Sequence, residues 1–89
     1  MYYYVYLICT KNNHNSLTSY VGYTKNITKR IALHNRSKGA KFTRGRKWSL
    51  IYKKRFKNKI EAMKYEYILK NDYNLRKKLK INFLKNEQN

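Results

Sequence analysis

Two apolar runs separated by a polar segment open the chain. Aromatic and β-branched side chains fill residues 3–10, the polar sequence KNNHNS follows, and a second run of similar character covers residues 18–24. Short apolar runs around a polar segment predict a β-hairpin with a longer loop. Gly22 interrupts the second run, and because glycine weakens a strand, we expect the backbone there to bend or to let another group approach closely.

The periods of the next segments predict a helix, a loop and a third strand. Asn26 is a suitable N-cap for a helix over residues 27–35, where apolar residues recur after one turn. Residues 36–47 contain six basic residues and two glycines without any period, which is typical of an exposed loop. Apolar and polar residues then alternate over residues 48–56, the pattern of a half-buried strand.

The C-terminal part of the chain has two further stretches of helical period. The helix predicted over residues 59–73 has two adjacent apolar stripes, which contain Ile60, Met63 and Tyr67, and Ala62, Leu69 and Tyr73. Leu75, Leu79 and Phe83, spaced at i, i+4 and i+8, predict a last short amphipathic helix. The predicted order of elements is β-β-α-β-α-α, with no internal repeat.

Length and charge restrict the number of domains and the kind of partner. A chain of 89 residues buries only about 60% of its unfolded surface, so we expect one domain over residues 1–84 and a polar tail over residues 85–89. Its 22 Lys and Arg against four Asp and Glu give a net charge of +18, which indicates nucleic acid as the partner. An anionic membrane is the competing partner, but no basic helix with a bulky apolar face is present in the sequence.

The sequence shows no membrane span, signal peptide or cysteine-based site. Its longest uncharged apolar run, residues 2–10, is far shorter than the ~20 residues of a membrane-spanning helix. Cys9 is the only cysteine, which excludes an intramolecular disulfide and a zinc site built on paired cysteines. We therefore expect a cytoplasmic protein in which Cys9 is a small buried apolar residue.

Glu66 is the most informative of the four carboxylates because it borders the apolar side of the best predicted helix. One interpretation is a salt bridge to Lys70 at i+4. The other is a metal ligand. Nucleases that use two metal ions need several converging acidic residues, and this chain has too few of them. A hydrolase of phosphodiesters with this composition is expected to use a single Mg²⁺ held by one carboxylate and by water.

Four short motifs, taken in order, resemble the GIY-YIG endonuclease family. They are YVY at residues 4–6, YVG at residues 20–22, Arg30 eight residues after that glycine, and EAMKYE, which ends at Glu66. The resemblance covers residues 3–70 and is closest to the small bacterial stand-alone members and to the nuclease domain of Slx-type enzymes. It implies an α+β fold with a small three-stranded antiparallel sheet flanked by helices.

The resemblance also implies a metal-dependent DNA endonuclease and a role for each motif residue. Tyr6 and Tyr20 direct their hydroxyls at the scissile phosphate and its attacking water, and Arg30 faces the phosphate. Glu66 holds Mg²⁺, with Mn²⁺ as a substitute. His34, one turn after Arg30, shares in proton transfer or binds phosphate, although a single histidine is more often structural. For Tyr6 or Tyr20 to act as a base, the metal and the guanidinium must lower a pKa that is ordinarily near ~10.

Substrate binding is expected at Gly22 and in the basic loop. The resemblance implies that the backbone at Gly22 comes close to the phosphate. The loop cations expected along the DNA backbone are Lys38, Lys41, Arg44, Arg46 and Lys47. Phe42 and Trp48 are candidates for stacking on an unpaired base, although Trp48 at a strand start is more typical of a core. Without a recognition helix, we expect low sequence specificity and selection of DNA by structure or strandedness.

Two alternatives stay open at this point. A non-catalytic basic nucleic-acid-binding protein also has a high positive charge and a small size, and it predicts no metal and no special role for Glu66. A nuclease subunit that needs a regulatory protein partner over its apolar surface is the other alternative. No membrane and no small-molecule cofactor are expected in any of these interpretations.

Overall fold

The computed structural model describes residues 1–11 and 17–87 and contains three strands and three helices. The strands are β1 (Tyr3–Lys11), β2 (Leu17–Thr24) and β3 (Ser49–Phe56). The helices are α1 (Ile27–Asn35), α2 (Lys59–Asn71) and α3 (Tyr73–Glu87), with one 3₁₀ turn at Lys41–Thr43. The predicted α+β order of elements is confirmed. His14 and the end of the expected polar tail lie outside the described residues.

The three strands form one antiparallel sheet in the order β2-β1-β3. The central strand β1 is buried from Val5 to Thr10, Cys9 included. A strand pairs with each of its edges, and other parts of the chain cover both of its faces. This explains why its sequence is an almost unbroken apolar run and does not alternate. Tyr6 is directly opposite Gly22 on β2 and Lys53 on β3.

A bulge in β3 breaks the strict alternation that its sequence predicted. Leu7 pairs with Tyr52, whereas the next residue of β1, Ile8, pairs with Leu50. Ile51 is therefore an extra residue on β3, and Ile51 and Tyr52 both pack against the same apolar cluster. The prediction that these neighbours face opposite sides was wrong, since two residues of a bulged strand oppose one residue of its partner.

The apolar core lies between one face of the sheet and the helices α2 and α3. Its buried residues are Val5, Leu7 and Val21 from the sheet and Ala62 and Leu69 from α2. α3 adds the half-buried Leu75 and Leu79, as their spacing predicted. The core is small, so the loss of one large side chain is expected to be severe.

The packing of α2 corrects the expected apolar stripes. Ile60, Met63 and Tyr67 do not pack on the sheet and are 68%, 46% and 69% exposed. The adjacent stripe, with Ala62 and Leu69, is the buried one. Ala62 has a side chain of one carbon, so the helix axis comes closest to the sheet on that side, and this rotation leaves the bulkier stripe in solvent.

Side-chain caps set the ends of the helices. Oδ1 of Asn26 accepts a hydrogen bond from the backbone N–H of Lys29 at 3.0 Å, so the predicted N-cap of α1 is confirmed. Oδ1 of Asp72 accepts from the N–H of Leu75 at 2.9 Å and begins α3 earlier than expected. Tyr73 therefore belongs to α3 and not to α2. Among the described residues, no helix combines the length and the apolar character that a membrane crossing needs.

Candidate active site

Tyr6 lies on the face of the sheet opposite the apolar core. Val5 and Leu7 point into the core, so strand alternation directs the Tyr6 side chain to the other face. There it meets α1, whose Arg30 and His34 are four residues apart and lie on the same side of the helix. The strand and the helix together bring three of the predicted site residues into one place.

The three side chains meet at the Tyr6 hydroxyl. Nε2 of His34 is 2.8 Å from the Tyr6 oxygen. Nε of Arg30 donates a hydrogen bond to the same oxygen over 3.4 Å. Tyr6 and His34 have no exposed surface, whereas Arg30 is partly exposed. Arg30 is thus part of a cluster that is buried on one side and accessible on the other. It is not a freely solvated cation, an interpretation that the amino-acid composition left open.

Gly22 leaves the space that the Tyr6 ring occupies. The two residues are directly opposite each other in the β1–β2 pair. A Cβ atom at Gly22 would collide with the hydroxyl and the ring carbons of Tyr6. The close approach expected at this glycine is confirmed, and the approaching group is a side chain of the protein. A second role for Gly22 beside a phosphate stays a prediction.

Tyr20 completes the aromatic side of the cluster. Its ring centroid is 5.2 Å from that of His34, and the ring is partly exposed. The hydrogen bond to Tyr6 raises the pKa of Arg30, and the nearby Tyr20 hydroxyl adds to that rise. Arg30 therefore contacts the Tyr6 hydroxyl and lies close to that of Tyr20.

Glu66 lies on α2 and is paired with Lys70. Its side chain is 19% exposed, and Oε1 is 3.5 Å from Nζ of Lys70, so the i,i+4 salt bridge considered from the sequence is present. No three His, Cys, Asp or Glu side chains come together as a metal site in residues 1–11 and 17–87. A single half-buried carboxylate suits a hard cation that keeps most of its water, and not a caged metal.

Burial controls the protonation of the Tyr6 and His34 pair. Burial raises the pKa of Tyr6, the guanidinium of Arg30 opposes the rise, and the charge of Glu66 adds to it. Burial also lowers the pKa of His34, and Arg30 lowers it further. Both groups are therefore neutral at pH 7. A tyrosine acting as a base was expected to need a lowered pKa, but desolvation of Tyr6 outweighs the guanidinium and raises its pKa.

Residues 2–80 match the model of the GIY-YIG catalytic domain. The chain belongs to the GIY-YIG family. It is 43% identical over 79 residues to a UPF0213 protein of Staphylococcus haemolyticus, covering 88% of this chain and 90% of that protein. It is also 43% identical over 68 residues to a UPF0213 protein of Oceanobacillus iheyensis, covering 75% and 74%.

A solved structure of similar sequence is the solution NMR structure of a UPF0213 protein from Bacillus halodurans. That protein is 36% identical, and the match covers 92% of this chain and 84% of that one, with a TM-score of 0.48. The resemblance to the GIY-YIG family, first drawn from four short motifs, is confirmed by the match of the family's domain. The family is of nuclease type.

The basic loop of this GIY-YIG domain, residues 36–47, is held to the protein by Trp48 and exposes its cations to solvent. Nε1 of Trp48 donates to the carbonyl of Thr43 at 2.9 Å, and Trp48 is buried, as a core residue would be. The five cations predicted to contact DNA are exposed, namely Lys38, Lys41, Arg44, Arg46 and Lys47. Phe42 is 51% exposed, with its ring centroid 6.2 Å from that of Tyr20 and the guanidinium of Arg46 over it.

Sequence reasoning missed two cations that share the face of Tyr6. Lys53 is opposite Tyr6 and Arg55 is opposite Tyr4 in the β1–β3 pair, and both are exposed. With Tyr4 they line a cleft of about 300 Å³. The sequence contained a signal for this position, because Lys53 and Arg55 alternate with Lys54 and Phe56. This alternation placed Lys53 and Arg55 on the side of the sheet away from the core.

Thr43 is the other residue that was missed. Its Oγ1 is 2.8 Å from Nδ1 of His34, and its side chain is fully buried although the loop around it was predicted to be exposed. A threonine among lysines and glycines carries no sequence signal for burial. In this GIY-YIG domain the site therefore offers a buried phenol, a neutral imidazole that contacts it and a guanidinium with one accessible side, with the charge of Glu66 acting on the phenol from α2.

Proposed function

We propose that this GIY-YIG chain is a metal-dependent DNA endonuclease that hydrolyses phosphodiester bonds with a single Mg²⁺. It has low sequence specificity and selects its substrate by structure or strandedness. The observation that carries the proposal is the convergence of His34 and Arg30 on the Tyr6 hydroxyl, a proton acceptor and a fixed cation on one phenol. A protein that only binds nucleic acid has no need of such a buried pair.

The exposed side of the cluster receives the phosphate. Arg30 and Tyr20 are partly exposed, whereas Tyr6 is buried, so a phosphate meets Arg30 and Tyr20 first. The Arg30 bond to Tyr6 is long at 3.4 Å, and such bonds in a free site often rearrange when substrate binds. Arg30 then turns its planar, permanently charged fork to the phosphate and uncovers the Tyr6 hydroxyl.

The proton path follows from the hydrogen bonds. Tyr6 passes its phenolic proton to Nε2 of His34, and the resulting phenolate accepts a proton from the attacking water. The water oxygen forms the new bond to phosphorus while the bond to the leaving oxygen breaks, and that oxygen takes its proton from solvent, to which His34 returns the proton it accepted. Arg30 faces the phosphate but stays close to Tyr6, so its charge stabilises both the phosphoryl group and the phenolate.

Glu66 would hold the Mg²⁺ that the proposal requires, with Mn²⁺ as a substitute. Such a cation supplies positive charge to the phosphate oxygens as the leaving group departs. The support for Glu66 is its carboxylate at the edge of the cluster, close enough for its charge to act on the pKa of Tyr6 after the larger effects of burial and Arg30. Lys70, which pairs with Glu66, then moves from the carboxylate to a phosphate or to solvent.

The experiment that tests the proposal is cleavage of matched single-stranded, duplex and branched DNA with Mg²⁺ and with EDTA. We expect Mg²⁺-dependent cutting by the wild type, none by Glu66→Gln, and unchanged cutting by Glu61→Gln. Glu61 is the matched control because it is an exposed glutamate in the first turn of the same helix. DNA affinity should stay equal or rise in Glu66→Gln. Tight binding without cutting of any substrate would favour the non-catalytic DNA-binding protein.

A second candidate function, a nuclease that works with a regulatory protein partner, has one observation in its favour. α2 exposes a stripe of Ile60, Met63, Tyr67 and Ile68 to solvent. Because the chain carries a net charge of +18, the partner it fits has an acidic surface around an apolar centre. The test is stimulation of cutting by host extract. We expect Tyr67→Ser to lose the stimulation and Tyr73→Ser, equally exposed on α3, to keep it.

A further inference from the structure

Both ring nitrogens of His34 are hydrogen-bonded inside the protein. Nε2 is 2.8 Å from the Tyr6 hydroxyl, and Nδ1 is 2.8 Å from Oγ1 of Thr43. The ring is fully buried, and burial lowers its pKa, with Arg30 adding to the effect. A neutral imidazole carries one proton, so one nitrogen donates and the other accepts. Which nitrogen carries the proton decides whether His34 can take a proton from Tyr6.

The surroundings of Tyr6 decide one end of this chain of bonds. In the described part of the protein, its hydroxyl contacts only Nε2 of His34 and Nε of Arg30. Arginine donates hydrogen bonds and does not accept them. If Nε2 carried the proton, the phenolic proton of the fully buried Tyr6 would have no acceptor, an arrangement that native proteins rarely contain. Tyr6 therefore donates to Nε2, and Nδ1 carries the proton.

The surroundings of Thr43 accommodate the other end. Nδ1–H of His34 donates to Oγ1, and the Thr43 hydroxyl donates in turn to the carbonyl of Ala40 at 3.0 Å. Oγ1 accepts a second bond, from the N–H of Ala40 at 3.2 Å. When the hydrogen bonds run from Tyr6 through His34 and Thr43 to Ala40, every proton has an acceptor. The reverse direction leaves the Tyr6 proton without one.

The loop holds Thr43 and the His34 ring in fixed relation. The Trp48 indole donates to the Thr43 carbonyl at 2.9 Å. The backbone of Gly39 packs so closely on the imidazole that a Cβ atom there would collide with Nδ1 and the ring carbons. The ring is confined between Gly39 and Tyr6, and Oγ1 of Thr43 is the acceptor that the Nδ1–H of this tautomer needs.

We propose that Thr43 is a positioning residue that holds His34 in the Nδ1–H tautomer and so keeps Nε2 ready to accept the proton of Tyr6. The inference rests on the proposed function for its catalytic meaning, since Thr43 acts only through His34. Thr43 is also adjacent to Phe42, the exposed aromatic residue beside Tyr20. The basic loop therefore carries a DNA-facing side chain and the residue that orients the proton acceptor on one 3₁₀ turn.

The first test measures the tautomer and does not depend on nuclease activity. Long-range proton–nitrogen NMR spectra of the ¹⁵N-labelled full chain distinguish a protonated from a bare ring nitrogen. The chain has two histidines, so a His14→Gln variant identifies the signals of His34. We expect Nδ1 protonated and Nε2 bare at neutral pH. An Nε2–H tautomer in the wild type would overturn the proposal, whether or not the protein cuts DNA.

The second test compares Thr43→Val, which keeps the shape and removes the hydroxyl, with Thr43→Ser, which keeps the hydroxyl. Thr43→Val should shift His34 towards the Nε2–H tautomer and lower kcat by about 10- to 100-fold, the usual effect of removing a group that orients a histidine, with little change in KM. Thr43→Ser should retain both the tautomer and the rate.

Several outcomes decide against the positioning role. A folded Thr43→Val protein with the wild-type tautomer and rate overturns it, as does a Thr43→Ser protein that loses the tautomer. If Thr43→Val does not fold, the wild-type spectrum and Thr43→Ser still decide. If the wild type cuts no DNA, the proposed function fails, while the spectra support or overturn the hydrogen-bond direction by themselves.

Discussion

The two faces of the sheet are built from the same strand but stabilised in different ways. On one face Val5 and Leu7 of β1 pack with Ala62 and Leu69 in an apolar core. On the other face Tyr6, between them in sequence, lies in a chain of hydrogen bonds with His34. The apolar face gains free energy from burial. The polar face is costly to bury and stays stable only because each buried group has a partner.

Stability and chemistry are therefore separable in this very small domain. A defect in the apolar core removes contacts that hold the helices on the sheet. A defect in the hydrogen-bonded cluster changes protonation and charge while most apolar contacts remain. Substitutions on the two faces should therefore differ in whether they change stability or cleavage.

The largest effect is expected from Tyr6→Phe, because it removes the hydroxyl that contacts both His34 and Arg30. We expect the cleavage rate to fall by about 10²- to 10⁴-fold, the usual range for a lost general acid or base. Single-turnover cleavage measures it. Tyr4→Phe, on the same face and partly exposed, is the control and should keep the rate. An active Tyr6→Phe would contradict the proton path.

The next effect is on stability and belongs to the other face. Leu69→Ala removes a fully buried core side chain and should lower the free energy of unfolding by about 2–5 kcal/mol. Urea unfolding followed by circular dichroism measures it. Ile68→Ala, next in sequence but 52% exposed, should change the free energy by less than about 0.5 kcal/mol. Equal losses in both variants would show that the packing of α2 differs from the one described.

A smaller effect is expected from pH. Burial and Arg30 lower the pKa of His34, so the unfolded state, with a pKa near ~6.5, binds a proton first as pH falls. The stability that neutral, buried His34 contributes is thus fully present above pH ~6.5. It is lost as the pH falls from ~6.5 through the lowered pKa of His34 in the folded state. The ionisable groups around the ring are Tyr6, Tyr20 and Arg30.

The measurement is the free energy of unfolding and the cleavage rate from pH 8 downwards. Both should stay level near neutrality and fall at acid pH, since protonated His34 cannot accept from Tyr6. His34→Gln is the control and should lose this acid dependence of stability. A rate that increases on acidification below ~6.5 would show that His34 acts as a cation, contrary to the proposed path.

The smallest effect concerns DNA binding by neighbouring lysines. Lys53 is on the Tyr6 face, whereas the side chain of Lys54 lies over the rings of Phe56 and Tyr65 on the core side. Lys53→Ala should reduce the slope of log affinity against log salt by about 1, as expected for one lost phosphate contact. Lys54→Ala should leave the slope unchanged. Fluorescence anisotropy at several salt concentrations measures both, and the opposite result would contradict a DNA path along the Tyr6 face.

Much of the candidate site was predictable because its residues are close in sequence or belong to ordered motifs. Arg30 and His34 are one helical turn apart, so a helix places them together whatever surrounds it. Gly22 was marked by its position inside a strand, although only the pairing of strands showed that Tyr6 fills the space above it. Thr43 was not predictable, because its burial depends on a loop folding back on α1.

The sequence by itself determined the order of elements, the cap at Asn26 and the set of motif residues, because these depend on local periods and on neighbours within a few residues. The tertiary structure alone decided which stripe of α2 is buried, where β3 bulges at Ile51, and how His34 is oriented. Those features depend on contacts between residues far apart in the chain. The burial that raises the pKa of Tyr6 exists only after the chain has folded.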